Sequence, residues 1–110
     1  MLDARLYLLQ RLTALIMAPL TLGHIAVMIF AVQDGLTTAE ILGRTQGSVL
    51  WLLFYGSFVV AVSIHAAIGL RVIVHETFSL KGRALGVFTW GAGLLFLITG
   101  ARAVAAVTLL

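Results

Sequence analysis

Polar residues are so sparse in three stretches of this chain that no face of a helix built from them is hydrophilic. Leu12 to Gln33, Ser48 to Leu70 and Ala84 to Ala101 each lack Asp, Glu, Lys and Arg, and the third resumes beyond Arg102 to Leu110. A bilayer span takes about 20 predominantly apolar residues at 1.5 Å of rise each. The pattern predicts an all-α integral membrane protein, a single domain over 1–110 with three transmembrane helices at about 12–33, 48–75 and 84–109. Helices of a soluble bundle show polar positions every three or four residues, whereas these are apolar all round. The first stretch exceeds the short apolar region of a secretion signal and is followed by no small-residue cleavage motif, so it is expected to remain in the mature protein.

Between the spans, Asp34 to Gly47 is a polar connection in which Thr38, Glu40 and Ile41 mark the start of a short interfacial helix. The second connection, His75 to Arg83, holds Ser79 and Gly82 as turn residues. Neither has room for a catalytic domain, so any chemistry must use helix side chains, a bound cofactor or a partner subunit. Pro19 cannot donate to the Leu15 carbonyl, which predicts a kink in the first helix. Gly86, Trp90, Gly93, Leu97 and Gly100 share one face of the third helix, and Gly56, Val60, Ser63 and Ala67 one face of the second. Such narrow faces let a neighbouring backbone or a flat cofactor approach closely. On the first helix, Thr13, Met17, Leu20 and His24 lie along one face.

Apolar residues make up 62% of the chain and charged residues 10%, with a net charge of +3. Arg5 and Arg11 precede the first span, and Arg71, Lys81 and Arg83 flank the second connection on the same side of the membrane. The first connection has only Arg44, set against Asp34 and Glu40. The excess of basic residues predicts a cytoplasmic N-terminus and second connection, with Arg102 snorkelling to the opposite face. Topology thereby accounts for the charge, and no nucleic-acid surface is implied. Cysteine is absent, which excludes disulfides, zinc–cysteine sites, iron–sulfur ligation and thiolate-bound haem.

Three histidines remain. His65 sits deep in the second span, where an ionisable group is costly and reads as a functional site with a partner, the obvious one being a metal. Gly69, one turn on, removes a side chain from the same face, and Arg71 lies about 9 Å further by helix rise. An upright haem asks for this pattern: an axial imidazole at depth and cations near the surface for its propionates. The second ring nitrogen would be fixed by a hydrogen bond to backbone or water. His24 reads as an interhelical hydrogen-bonding residue, and span midpoints set it about 7 Å from His65 in depth. His75 lies near the membrane surface.

The strings Gln10-Arg11-Leu12-Thr13-Ala14-Leu15 and His65-Ala66-Ala67-Ile68-Gly69-Leu70-Arg71 resemble the membrane-anchor subunits of succinate dehydrogenase and fumarate reductase. Those anchors have similar length and three helices, so the resemblance covers nearly the whole chain. It implies a subunit of the bacterial inner membrane that is not catalytic alone. With a second membrane-anchor subunit it would sandwich one haem b, dock a flavoprotein and an iron–sulfur subunit, and bind quinone near the cytoplasmic face. The family's axial histidine falls on His65 with Gly69, and its first-helix arginine on Arg11; Arg11 and Arg71 would then neutralise propionates or orient a quinone carbonyl. Thr13 would either add a hydroxyl donor there or bond back to its own helix.

Departures accompany the resemblance. Gln10 and Tyr7 stand where the larger anchor often has histidine and serine, and Glu76-Thr77 where the smaller often has Asp-Tyr. Two alternatives stay open: a haem-free anchor of the same complex class, with His65 as an interhelical hydrogen-bonding residue, and a small transporter or channel subunit with His24 and His65 on a proton path. The second would ordinarily show paired broken helices at the midplane, of which Pro19 is a single instance.

Overall fold

The computed structural model describes residues 3–109. Helix α1 spans Ala4–Asp34 and begins ahead of the apolar stretch because the Asp3 side chain accepts from the Leu6 N–H at 2.9 Å, capping its first turn. It runs unbroken through Pro19 and stops at Gly35, whose φ of 136° is open to glycine but strained for any other residue. The expected interfacial helix is α2, Thr38–Thr45. Its cap is Thr37, one residue before the anticipated start: Thr37 accepts from the Glu40 N–H while the Glu40 carboxylate reaches back to the Thr37 N–H. Helix α3, Val49–Phe78, opens on Ser48 and closes at Ser79 in the left-handed conformation. Helix α4 is Gly82–Thr108.

Helices α1, α3 and α4 have the length and apolarity to cross a membrane. At 31, 30 and 27 residues they exceed the roughly 30 Å hydrocarbon core at 1.5 Å per residue, so their ends project into the interfaces or the helices tilt. The bundle is elongated, 48 × 24 × 23 Å. Helix α3 is the central element. Helices α1 and α4 each pack antiparallel against it, and α2 rests on the end of α4.

Small and hydroxyl residues make these contacts. Among the described residues the buried positions include Ala61, Ser63, Ala67, Thr13 and Thr108, while most of the large aliphatic side chains face outward. Lipid tails are as apolar as leucine, so burial of large side chains brings no gain here and close backbone approach decides the packing. Among the glycines of the three spans the tightest approach is at Gly100, where an added Cβ would stand 2.6 Å from Val59 Cγ1. At the far end the orphan carbonyls of α4 are met from the α2 segment. Thr45 Oγ1 donates to the Val107 carbonyl at 2.6 Å, and the Gly47 N–H to that of Thr108 at 2.8 Å. Arg44 ties α2 to α1 through Asp34 at 2.9 Å and the Gly35 carbonyl at 3.0 Å.

Candidate functional site

The polar residues of the α1–α3 seam meet at one level. Thr13, 3% exposed, lies against His65, with its Oγ1 3.1 Å from the imidazole Nδ1. The same Oγ1 stands 2.9 Å from the Leu9 carbonyl and 3.0 Å from that of Gln10, the back-bonding geometry by which a hydroxyl satisfies itself within an apolar helix. His65 is half-buried, and among the described residues its ring makes no other hydrogen bond.

One turn along the seam, Gly69 faces Gln10. A Cβ at Gly69 would stand 3.6 Å from Gln10 Nε2, an ordinary van der Waals contact. The amide oxygen of Gln10 is buried and without a partner. An unmet buried acceptor costs on the order of 1–3 kcal/mol unless water or a ligand supplies a donor. In the sequence Gln10 stands out only as part of the family-like string and as a departure from the larger anchor's pattern. The signal for it was its spacing, three residues before Thr13 and therefore on the same helical face.

The two arginines lie elsewhere. Arg71 follows His65 by six residues, which turns it about 120° around α3. Its Nη1 donates to Thr89 Oγ1 on α4 at 3.2 Å, and that hydroxyl donates to the Leu85 carbonyl at 2.8 Å. Arg71 and Arg5 border a cleft of about 740 Å³ between α1 and α4, walled by residues such as Ala67, Trp90 and Gly93. Arg11, two residues before Thr13, points off the opposite side of α1. It is exposed, donates to the Tyr7 hydroxyl at 3.1 Å and lies over the Tyr7 ring at 5.5 Å. Thr13, His65 and Gly69 are thus brought together, while Arg71 and Arg11 occupy two other faces of the bundle.

The remaining histidines are engaged separately. His24 makes edge contacts with Tyr55 and Phe58, ring centroids 6.0 and 5.6 Å away. It follows Thr13 by eleven residues, about 16 Å along α1. Because Thr13 is level with His65, the two histidines are further apart in depth than span midpoints suggest, and one small metal site cannot use both. His75 Nδ1 lies 2.9 Å from the Leu80 carbonyl and closes the α3–α4 turn.

A lone imidazole does not hold a metal by itself. What it can do in a membrane is complete the coordination of iron already carried by a macrocycle, or hydrogen-bond across helices. The donor set at His65 suits the first: one ring nitrogen is taken by a neutral hydroxyl, and the other has no partner among the described residues.

A family model, that of the succinate dehydrogenase/fumarate reductase transmembrane subunit, matches residues 1–107. No curated protein and no solved structure matches the chain.

Proposed function

Because the chain belongs to the succinate dehydrogenase/fumarate reductase transmembrane subunit family, we propose that it is a cytochrome b anchor that holds haem through His65 and lends a face to a quinone site. As a member of that family it is an integral membrane subunit of such a complex. The carrying observation is the half-buried His65 imidazole, held at Nδ1 by Thr13 and without another hydrogen-bonding partner among the described residues. Haem, when bound, supplies one-electron transfer between iron–sulfur clusters and quinone. This chain's residues would hold it through a nitrogen of the His65 imidazole, whose other nitrogen Thr13 engages.

A second axial imidazole would have to come from another polypeptide, since His24 lies about 16 Å along α1 from the level of His65. That supports a sister anchor seated on the α1–α3 face. Arg11 projects off α1 away from α3 and lies on Tyr7, so it would reach a shared propionate or quinone carbonyl only if the neighbouring subunit also wraps that side of α1. Arg71 is turned to Thr89 and serves the α3–α4 side. The end of the bundle carrying Arg5, Arg11, Lys81 and Arg83 is the proposed cytoplasmic face, where the flavoprotein and iron–sulfur subunits would dock.

Substitution at the two histidines tests the reading. His65→Ala is expected to abolish the low-spin b-haem band in a reduced-minus-oxidised spectrum of the purified complex, while His24→Ala largely preserves it. An assembled, quinone-active complex with no haem in the wild type would establish the haem-free anchor instead. Loss of haem from His24→Ala with His65 dispensable would reverse the assignment.

A further inference from the structure

We infer that Thr13 is a positioning residue for His65: its oxygen accepts the Nδ1 proton of the imidazole and so leaves Nε2 as the bare nitrogen that binds iron. The inference rests on the haem-anchor reading of His65 and concerns this chain's own residues.

Two hydrogen-bond arrangements are compatible with a 3.1 Å separation between Thr13 Oγ1 and His65 Nδ1. In one, the hydroxyl donates to Nδ1. The Leu9 and Gln10 carbonyls, at 2.9 and 3.0 Å, then lose the hydroxyl they share, and the ring proton moves to Nε2, where no acceptor is found among the described residues. In the other, the hydroxyl keeps its back-bond and Nδ1–H donates to its lone pair. Every proton is then used, and only an sp² lone pair on Nε2 is left over. The apolar surroundings favour the second, because an unmet N–H in such a medium forfeits a full hydrogen bond. The neutral imidazole is a metal ligand through its unprotonated nitrogen, and the bond at the other nitrogen sets which one that is.

Burial makes the arrangement stable. Thr13 is 3% exposed, so water does not compete for its oxygen, and α1 holds the hydroxyl at the level of the ring. Serine keeps the oxygen; valine keeps the shape and removes it.

In the purified complex, Thr13→Ser is expected to retain the haem band, its low-spin electron paramagnetic resonance signal and its midpoint potential. Thr13→Val removes the acceptor for Nδ1–H and with it some electron donation from the ring to ferric iron. The reduced form is then favoured by up to about tenfold, a rise of up to about 59 mV for a one-electron couple, with the resonance signal shifted. A Thr13→Val complex that assembles with the wild-type potential and signal overturns the inference, as does one that changes only in yield. If Thr13→Val does not assemble, Thr13→Ala and Thr13→Ser decide it in whole membranes: wild-type potentials in both refute it, and a rise in Ala alone supports it. Retention of haem by His65→Ala would instead overturn the underlying axial assignment, so the two failures are distinguishable.

Discussion

Gln10 presents a problem that only a ligand, a water or a sequence change resolves. Its amide oxygen is buried and unpaired beside Gly69. Leucine is close to it in length and removes the unmet acceptor, so Gln10→Leu is expected to leave the thermal midpoint of the complex unchanged or to raise stability by up to about 1 kcal/mol. A loss above about 1 kcal/mol would mean that a water or a bound molecule satisfies the amide in the membrane. Thr13 and Thr89 show the opposite condition. Each hydroxyl turns its proton onto its own helix and offers its oxygen to a cross-helix donor, His65 in one case and Arg71 in the other. The sequence singles out His65 and Gly69 because an imidazole and a glycine one turn apart are rare within an apolar run. It does not reveal the Thr13 contact, which depends on the register of α1 against α3, and it groups Arg71 with His65 although helix geometry sets them about 120° apart.

Helices packed in lipid align by shape more than by amphipathic phase. The segments α1, α3 and α4 are apolar on every side, which makes their existence plain in the sequence and their rotation about their own axes obscure. Small residues supply part of the missing phase. Of the glycine face expected on α4, Gly100 meets Val59 and Gly93 meets Ala67, whereas Gly86 meets nothing within 4 Å and instead borders the cleft. Hydropathy detects the hydrocarbon core alone and so missed the start of α1, which the Asp3 cap sets eight residues ahead of the apolar stretch. The energetic consequence falls on Gly100. A methyl there would lie 2.6 Å from Val59 Cγ1, and the clash must be relieved by moving α4 or rotating Val59. Gly100→Ala is expected to destabilise the bundle by roughly 1–3 kcal/mol. The paired change Gly100→Ala with Val59→Ala should recover much of it. Gly86→Ala, with open space around it, serves as the control and is expected to be near neutral in the same thermal denaturation of the detergent-solubilised complex.

At the scale of the whole molecule, three long antiparallel helices place the two ends of the chain on opposite sides of a bilayer, whichever way the bundle is inserted. Charge decides the orientation. Antiparallel packing brings Arg5 and Arg11 to the same end as Arg71, Lys81 and Arg83, while the other end has Arg44, bonded to Asp34 at 2.9 Å, and Arg102. Five basic residues against two, one of the two paired to a carboxylate, favour retention of the first end in the cytoplasm. A reporter fused ahead of the N-terminus is therefore expected to be cytoplasmic and one fused after Leu110 to be outside. Both reporters on one side would mean an even number of crossings and would refute the three-span bundle. An exterior N-terminus with a cytoplasmic C-terminus would keep the bundle but invert it. The basic end would then face away from the cytoplasm, and the proposed docking of flavoprotein and iron–sulfur subunits there would fail. Orientation is thus the measurement on which the bundle's geometry and its place in the complex can be separated.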